Sequence, residues 1–274
     1  MGSLQDSTAI TRIDETLTAE IDAAWDIWSP CGGYVAGIAV RAAGVCAPEG
    51  HRPVSISCQY LSRASHGHVD VVVDELKNGS SACFNVSLRQ NESTFLQAQV
   101  WTTSKRTGPH KIEQAMPEVP PPLELEPIET MFERHGHKAI PFWQNMDGRP
   151  VDFRAPGDPD PRGGRMERWL NFANWQTTDD PFIDATRALV TIDTHIWAAY
   201  TNGLSTQADY IAPSLDLTVW FHDQAGSEEW LLADATADVA ANALIHGKVR
   251  VWAADGRLVA TGGSQCLVVP LKRQ

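Results

Sequence analysis

Basic residues are scarce in this chain of 274 residues, in which 22 Lys and Arg stand against 34 Asp and Glu. The resulting formal net charge of -12 argues against broad electrostatic binding to nucleic acid or to an anionic membrane, because both favour basic patches. A small anionic ligand held by a local cluster of charges is still allowed. We therefore expect a small-molecule partner and no nucleic acid.

Long apolar runs are also missing, and no stretch approaches the roughly 20 residues needed to cross a bilayer. The N-terminal stretch MGSLQDSTAITRIDETL has neither the basic start nor the apolar segment of a secretory signal. The five cysteines are scattered, odd in number, and show no CxxC or metal-like Cys/His spacing. These absences predict a reduced, cytoplasmic protein without membrane insertion, metal site or cofactor.

Two proline-rich and glycine-rich stretches interrupt the chain, at residues 116–127 and 156–164, because proline removes backbone donors and fixes φ. Similar patterns lie on either side of them. The first half contains one helical stripe followed by four strand-like runs, at 31–43, 54–61, 68–76, 81–88 and 95–103. The second half repeats this order at 181–200, 215–221, 229–235, 244–252 and 258–269. Further strands are predicted at 151–155 and 166–172.

A helix followed by an antiparallel meander, present twice, predicts an α+β protein in which each half wraps a curled sheet around one helix. The boundaries follow from the breaks: an N-terminal unit at 1–115, a Pro-rich linker at 116–145 and a C-terminal unit at 146–274. A single large α+β domain whose halves resemble each other by chance is the alternative.

Several segments resemble the acyl-CoA thioesterase II (TesB-like) family of double-hotdog proteins. They are GGYVAGIAVRAA at the first helix, RPVSISCQYLSRA at the first strand, and SLDLTVWFH, EEWLL and ADGRLVATGGSQ in the second half. The resemblance implies a double hotdog, with two tandem units side by side, that hydrolyses acyl thioesters. It also implies that an Asp, a Thr and a Gln of the second unit position the attacking water.

Carried over residue by residue, the family pattern makes Asp216 the acid of SLD and Gln265 the amide of the C-terminal segment. Counting back from the glycine of IHGKV gives Thr236 as the hydroxyl, whereas counting forward from WLL gives Asp238. The expected substrate-binding residues are two glycines at the start of the first helix, a tryptophan of the second half and a turn glycine: Gly32, Gly33, Trp220 and Gly79.

Strand periodicity offers a different interpretation of Asp216. It shares one face with Thr218 and Trp220, opposite Leu215 and Leu217. This alternation is typical of a solvent-exposed residue on a sheet with one face in water.

The turn at 77–81 carries one positive charge where the family has an Arg-rich turn, so a carrier-bound thioester is an alternative to CoA. Two other functions remain open for the same pocket. One is a non-hydrolytic cyclase, isomerase or lyase acting on a polyketide-like or fatty intermediate, and the other is a catalytically silent acyl-binding module. Exposed sheet edges also suggest a homo-oligomer.

Overall fold

The structure, a computed structural model, describes residues 2–104, 108, 112, 114–136, 140–153, 163–205 and 208–271. Its α-helices are, in chain order, α1 (Leu4–Ser7), α2 (Gly32–Cys46), α3 (Ile128–Arg134) and α4 (Pro181–Asn202). None of the helices in the described ranges is both long and apolar enough to span a bilayer.

The strands divide between the two halves of the chain. The first half supplies β1 (Thr11–Ile13), β2 (Thr16–Ile21), β3 (His51–Tyr60), β4 (Gly67–Lys77), β5 (Ser81–Gln90) and β6 (Ser93–Ser104). The second half supplies β7 (Met146–Pro150), β8 (Arg165–Phe172), β9 (Tyr210–Ile211), β10 (Asp216–Phe221), β11 (Trp230–Ala241), β12 (Leu244–Ala253), β13 (Leu258–Leu267) and β14 (Val269–Pro270).

One twelve-stranded antiparallel sheet holds both halves, in the order β1-β2-β4-β5-β6-β3-β10-β13-β12-β11-β8-β7. The halves meet where β3 pairs with β10, with Ser57 opposite Thr218. Each half therefore contributes a curled run of strands around its own long helix, as the repeated pattern predicts. A separate two-stranded sheet joins β9 to β14.

The helices α2 and α4 cross in opposite directions at glycine positions of α2. Gly33 lies against Leu189, Gly37 against Thr186, and Gly44 against the ring of Phe182. A Cβ on Gly33 would stand 2.3 Å from the carbonyl oxygen of Leu189, so only glycine allows this approach.

The start of α4 is fixed by its sequence. Pro181 occupies the first turn, and Asp180 accepts hydrogen bonds from the N–H groups of Phe182 (2.8 Å) and Ile183 (3.3 Å). One turn later, Asp184 and Arg187 form a buried ion pair. Asp184 also accepts the N–H of Ala225 at 2.8 Å, which ties α4 to the loop after β10.

Most predicted elements are confirmed, with shifted ends, and the main errors lie at the edges of the sheet. The predicted strand at 151–155 is wrong in its described part, because the edge strand β7 ends at Pro150. The strands β1 and β2 were not predicted, since this short stretch has weak periodicity. Within 116–145 the structure contains α3 and two short 3₁₀ helices, at Pro122–Glu124 and Pro141–Asn145. Most of the predicted loop at 156–164 lies outside the described residues.

Candidate active site

A cavity of about 580 Å³ opens beside the crossing of α2 and α4. A stripe of α4 from Asp193 to Asn202 forms one wall, and Cys31 and Gly32 at the start of α2 form another. Much of the remaining lining is apolar and includes several aromatic side chains: Trp28, Phe95, Phe132, Trp143 and Trp197. A cavity of this size and character is suited to an acyl chain.

Among the described residues that line this cavity, Asp193 is the carboxylate, and it links the two halves of the protein. Its Oδ2 accepts the backbone N–H of Gly33 at 2.9 Å and lies 3.4 Å from the Sγ of Cys31. Its Oδ1 accepts the hydroxyl of Ser214 at 2.8 Å. The start of α2 favours a negative charge here, since the positive end of the helix dipole points at the carboxylate.

Burial raises the pKa of Asp193 above the ordinary aspartate value, while the hydrogen bonds from Gly33, Ser214 and Cys31 act in the opposite direction. Burial also raises the pKa of the Cys31 thiol well above its ordinary value, and the neighbouring Asp193 charge adds to the effect. The thiol therefore stays protonated at neutral pH and is a poor nucleophile. Asp193 is the group in this cluster that can accept a proton.

Tyr60, at the end of β3, brings a hydroxyl to the same place. Its Oη and the Oδ1 of Asp193 lie 2.9 and 3.1 Å from the point where a Cβ on Gly32 would stand. The hydroxyl is buried and has no hydrogen-bond partner among the described residues. Burial, followed by the charge of Asp193, raises the pKa of Tyr60 well above its ordinary value, so the hydroxyl is a donor at neutral pH.

The structure places Asp216 on the opposite face of its strand. Leu217 and Val219 are fully buried under the helices, whereas Asp216 and Thr218 alternate with them and face outward. The Oδ1 of Asp216 accepts the backbone N–H of Gln265 at 2.7 Å, so the two residues are neighbours through the main chain of Gln265. Neither lines the cavity.

Thr236 does not join Asp216 and Gln265. On β11, Thr236 lies opposite Lys248 of β12. Lys248 lies opposite Gly263 of β13, and Gly263 lies opposite Thr218 of β10. Three strand spacings therefore separate Thr236 from β10, or roughly 14 Å along the sheet. Its hydroxyl donates to Asp238 at 2.9 Å. The structure thus brings Asp216 and Gln265 together and leaves Thr236 apart from them.

The four expected substrate-binding residues have different positions. Gly32 lines the cavity, and Gly33 supplies an N–H to its carboxylate rather than to a ligand. Trp220 is 50% exposed on the outer face of β10. Gly79 lies in the exposed turn between β4 and β5 with a φ of +132°. Trp220 and Gly79 do not line the cavity.

Sequence reasoning missed Asp193, Ser214 and Tyr60. The available signal was an acidic residue inside the apolar part of the second predicted helix, between Ile192 and Ile196. Ser214 precedes β10 by two residues, where a serine in a loop gives no pattern. Among the described residues, no group of three or more His, Cys, Asp or Glu side chains is arranged to hold a metal ion.

Two family models match the chain. One describes an acyl-CoA thioesterase N-terminal domain and matches residues 21–103, and the other describes an acyl-CoA thioesterase C-terminal domain and matches residues 121–268. Human acyl-coenzyme A thioesterase 8 is 26% identical over 258 residues, which cover 85% of this chain and 80% of the human protein.

Solved structures agree on the fold. A hot dog fold protein of unknown function from Alicyclobacillus acidocaldarius superposes with a TM-score of 0.81 at 18% identity, covering 99% of this chain and 100% of that one. An acyl-CoA thioesterase II, TesB2, from Mycobacterium marinum gives a TM-score of 0.74 at 18% identity, with 98% and 99% covered. The predicted double hotdog and the TesB-like resemblance are confirmed. The chain belongs to the acyl-CoA thioesterase family and is a thioester hydrolase.

Proposed function

We propose that this protein hydrolyses acyl-CoA thioesters in the cavity beside the helix crossing, with Asp193 as the general base. The observation that carries the proposal is the cluster around that carboxylate. Asp193 is partly buried, faces an acyl-sized cavity, and is oriented by Ser214 from one side and by the start of α2 from the other. A carboxylate with a raised pKa is a better proton acceptor than an ordinary one.

In the reaction, Asp193 takes a proton from a water molecule while the water oxygen bonds to the thioester carbon. The carbonyl becomes a tetrahedral oxyanion, and its collapse breaks the C–S bond. The leaving thiolate has a pKa near 8.5, so it departs with little help and later takes up the proton from Asp193 or from solvent. Ser214 fixes the direction of the carboxylate through its 2.8 Å hydrogen bond.

Tyr60 is the proposed donor to the developing oxyanion. Its hydroxyl is buried, protonated and without a partner in the described part of the chain, and it lies next to Gly32 and Asp193. A preorganised donor of this kind stabilises the transition state because it needs no reorganisation when charge develops. An unpaired buried hydroxyl is otherwise a cost to stability, so its position next to the carboxylate supports a role in chemistry.

Contacts for the CoA moiety are proposed at Arg63 rather than at the turn of residues 77–81. Arg63 is exposed and lines the cavity, as a residue at its mouth would. Lys77 is already engaged, because its Nζ donates to the carbonyl (2.9 Å) and hydroxyl (2.6 Å) of Ser81 and lies over the ring of Trp101.

The test is a comparison of Asp193→Asn with Asp216→Asn by following thiol release from an acyl-CoA. We expect Asp193→Asn to lower kcat by at least about 100-fold, the lower range for a general base. The matched variant Asp216→Asn changes the other candidate carboxylate, which faces outward, and should keep the wild-type rate. A wild-type rate in Asp193→Asn would remove this residue from the mechanism. Absence of thiol release from the wild-type protein would favour the non-hydrolytic alternatives.

A further inference from the structure

Arg168 places a guanidinium group inside the cavity, away from Asp193. It lies on β8 and shares with Met166 and Leu170 the face of the sheet that covers α4. It is only 4% exposed and lines the cavity together with Trp143, whose ring centre is 5.1 Å from the Cζ of Arg168. A buried cation in an otherwise aromatic wall requires an explanation, because removing a charge from water is expensive.

The charge of Arg168 is not paired within the described part of the chain. Within the described part of the chain it forms no ion pair with a carboxylate, and its Nε has no hydrogen-bond partner. Burial lowers the pKa of Arg168 to about 10, partly offset by the charge of Glu129, so the group is still a cation at neutral pH. Burial raises the pKa of Glu129, and the charge of Arg168 acts in the opposite direction.

His195, on the adjacent face of α4, adds no charge. Burial and the proximity of Arg168 lower the pKa of His195 to about 3, so the ring is neutral under ordinary conditions. Its Nδ1 contacts the carbonyl oxygen of Thr191 at 2.7 Å, and its Nε2 is buried without a partner in the described residues. Among the described residues, Arg168 is therefore a cation that faces the cavity without a contacting counter-ion or a second contacting cation.

Arg168 and Asp193 lie on different walls of the same cavity, Arg168 on β8 and Asp193 on α4. Ser214 precedes β10 by two residues, and three strands lie between β10 and β8. Four strand spacings correspond to roughly 19 Å along the curled sheet. The cavity wall on α4 spans ten residues, from Asp193 to Asn202, and nine steps of helical rise give about 14 Å. An acyl chain whose thioester lies at Asp193 can therefore reach Arg168 within the cavity, on a wall other than the one that carries Ser214.

We propose that Arg168 binds a carboxylate at the distal end of the acyl chain, so that ω-carboxyacyl thioesters are a substrate class of this enzyme. The inference rests on the proposed function, since it takes Asp193 as the position of the thioester. A guanidinium group matches a carboxylate in a two-point hydrogen-bonded geometry, and such charge-assisted contacts are the strong ones. The apolar walls on either side would hold the methylene chain.

The experiment measures binding rather than hydrolysis, so that it is independent of Asp193. Two CoA thioethers with eight-carbon chains are compared, one ending in a methyl group and one in a carboxylate. Neither can be hydrolysed. We expect the wild-type protein to bind the carboxylate form about 10-fold more tightly or better, and Arg168→Leu to lose or reverse this preference. Arg165→Leu is the matched control, because Arg165 is an exposed arginine on the same strand, and it should behave as the wild type.

If Arg168→Leu does not fold, the affinities of the wild-type protein for the two thioethers still test the proposal. Equal affinity for the two thioethers, or tighter binding of the methyl form, would overturn the proposal. A third thioether ending in a hydroxyl group tests the ligand chemistry, because Asn202 also lines the cavity and its Oδ1 has no partner among the described residues. If the hydroxyl form bound more tightly than the carboxylate form, the carboxylate assignment would be wrong.

Discussion

Gly33 of α2 donates its backbone N–H to the Oδ2 of Asp193 on α4 over 2.9 Å, across 160 positions of the chain. This contact joins the two halves of the double hotdog at the carboxylate of the candidate site. It depends on close approach of the helices, because a Cβ on Gly33 would meet the backbone of Leu189 at 2.3 Å.

Gly33→Ala is therefore expected to lower both stability and activity. The added methyl group meets main-chain atoms, so the helices must separate, at a cost of about 1–3 kcal/mol or more. Thermal unfolding and thiol release would measure the two effects. Gly37→Ala is the control on the same helix, since its nearest contacts would be side-chain atoms of Thr8 and Thr186 at 3.2–3.5 Å and alanine favours a helix. Equal melting temperatures for the two variants would contradict the steric argument.

Tyr60→Phe should separate chemistry from stability. Because the hydroxyl has no partner in the described structure, its removal leaves the melting temperature unchanged or higher. Loss of an oxyanion donor should lower kcat by about 100-fold. Tyr34→Phe should instead lower the melting temperature and leave kcat unchanged, because the hydroxyl of Tyr34 donates to the carbonyl of Ser7 at 2.9 Å. A wild-type kcat in Tyr60→Phe would assign the oxyanion to another donor.

Ser214→Ala removes the hydroxyl that orients Asp193. A hydrogen bond to a charged group contributes about 1.5–3 kcal/mol, so kcat should fall by roughly 10- to 100-fold. Ser214→Thr keeps a hydroxyl at the same position and should retain most of the rate. Steady-state kinetics on one acyl-CoA would distinguish the two variants, and equal rates for both would show that the hydroxyl does not contribute.

The pH profile of kcat/KM should report the state of Asp193. The active form is the carboxylate, and burial raises its pKa, so activity should fall with decreasing pH at a value above the ordinary aspartate pKa of about 3.9. The hydroxyl of Ser214 lowers the pKa of Asp193, so Ser214→Ala should move this acidic limb to still higher pH. A limb that moved to lower pH in this variant would contradict the assignment.

The buried pair Asp184–Arg187 is predicted to act on stability alone. Both side chains are almost fully buried, and Arg187 also donates to the carbonyl of Glu228 at 2.7 Å. Asp184→Asn should destabilise the fold by about 3–5 kcal/mol, because it leaves a buried guanidinium without its counter-ion. Asp255→Asn breaks the exposed pair with Arg257 and should cost no more than about 1 kcal/mol. Chemical denaturation would measure both.

The fold could be predicted from the sequence because its strands and helices show a regular spacing of apolar residues. Apolar residues every second position gave the long strands, and the helical stripes gave α2 and α4. The edge strands were harder. The strand β7 has five residues and includes Gly148 and Pro150, which weaken the pattern of a strand.

The site was less readable because it is assembled across the two halves. Asp216 was selected from the sequence as an acidic residue between two leucines. Alternate residues of a strand point to opposite faces of the sheet, and Asp216 points outward. The same argument applied to a helix would have selected Asp193, which shares its cavity-facing stripe with Trp197. The N–H of Gly33 and the hydroxyl of Tyr60 come from distant segments, and their meeting with Asp193 requires the tertiary structure.

With Asp193 as the proposed base, the antiparallel crossing of α2 and α4 also sets the expected number of reaction centres in each chain. The crossing has two ends related by the duplication, with Gly37 against Thr186 near the middle. At one end Asp193 meets the start of α2, whereas at the other the ring of Phe182 fills the space beside Gly44, within 2.5 Å of where a Cβ would stand. A duplicated scaffold could in principle hold two reaction centres, but here an aromatic ring occupies the second position. Each chain should therefore turn over substrate at a single centre, and neither half expressed alone would contain it.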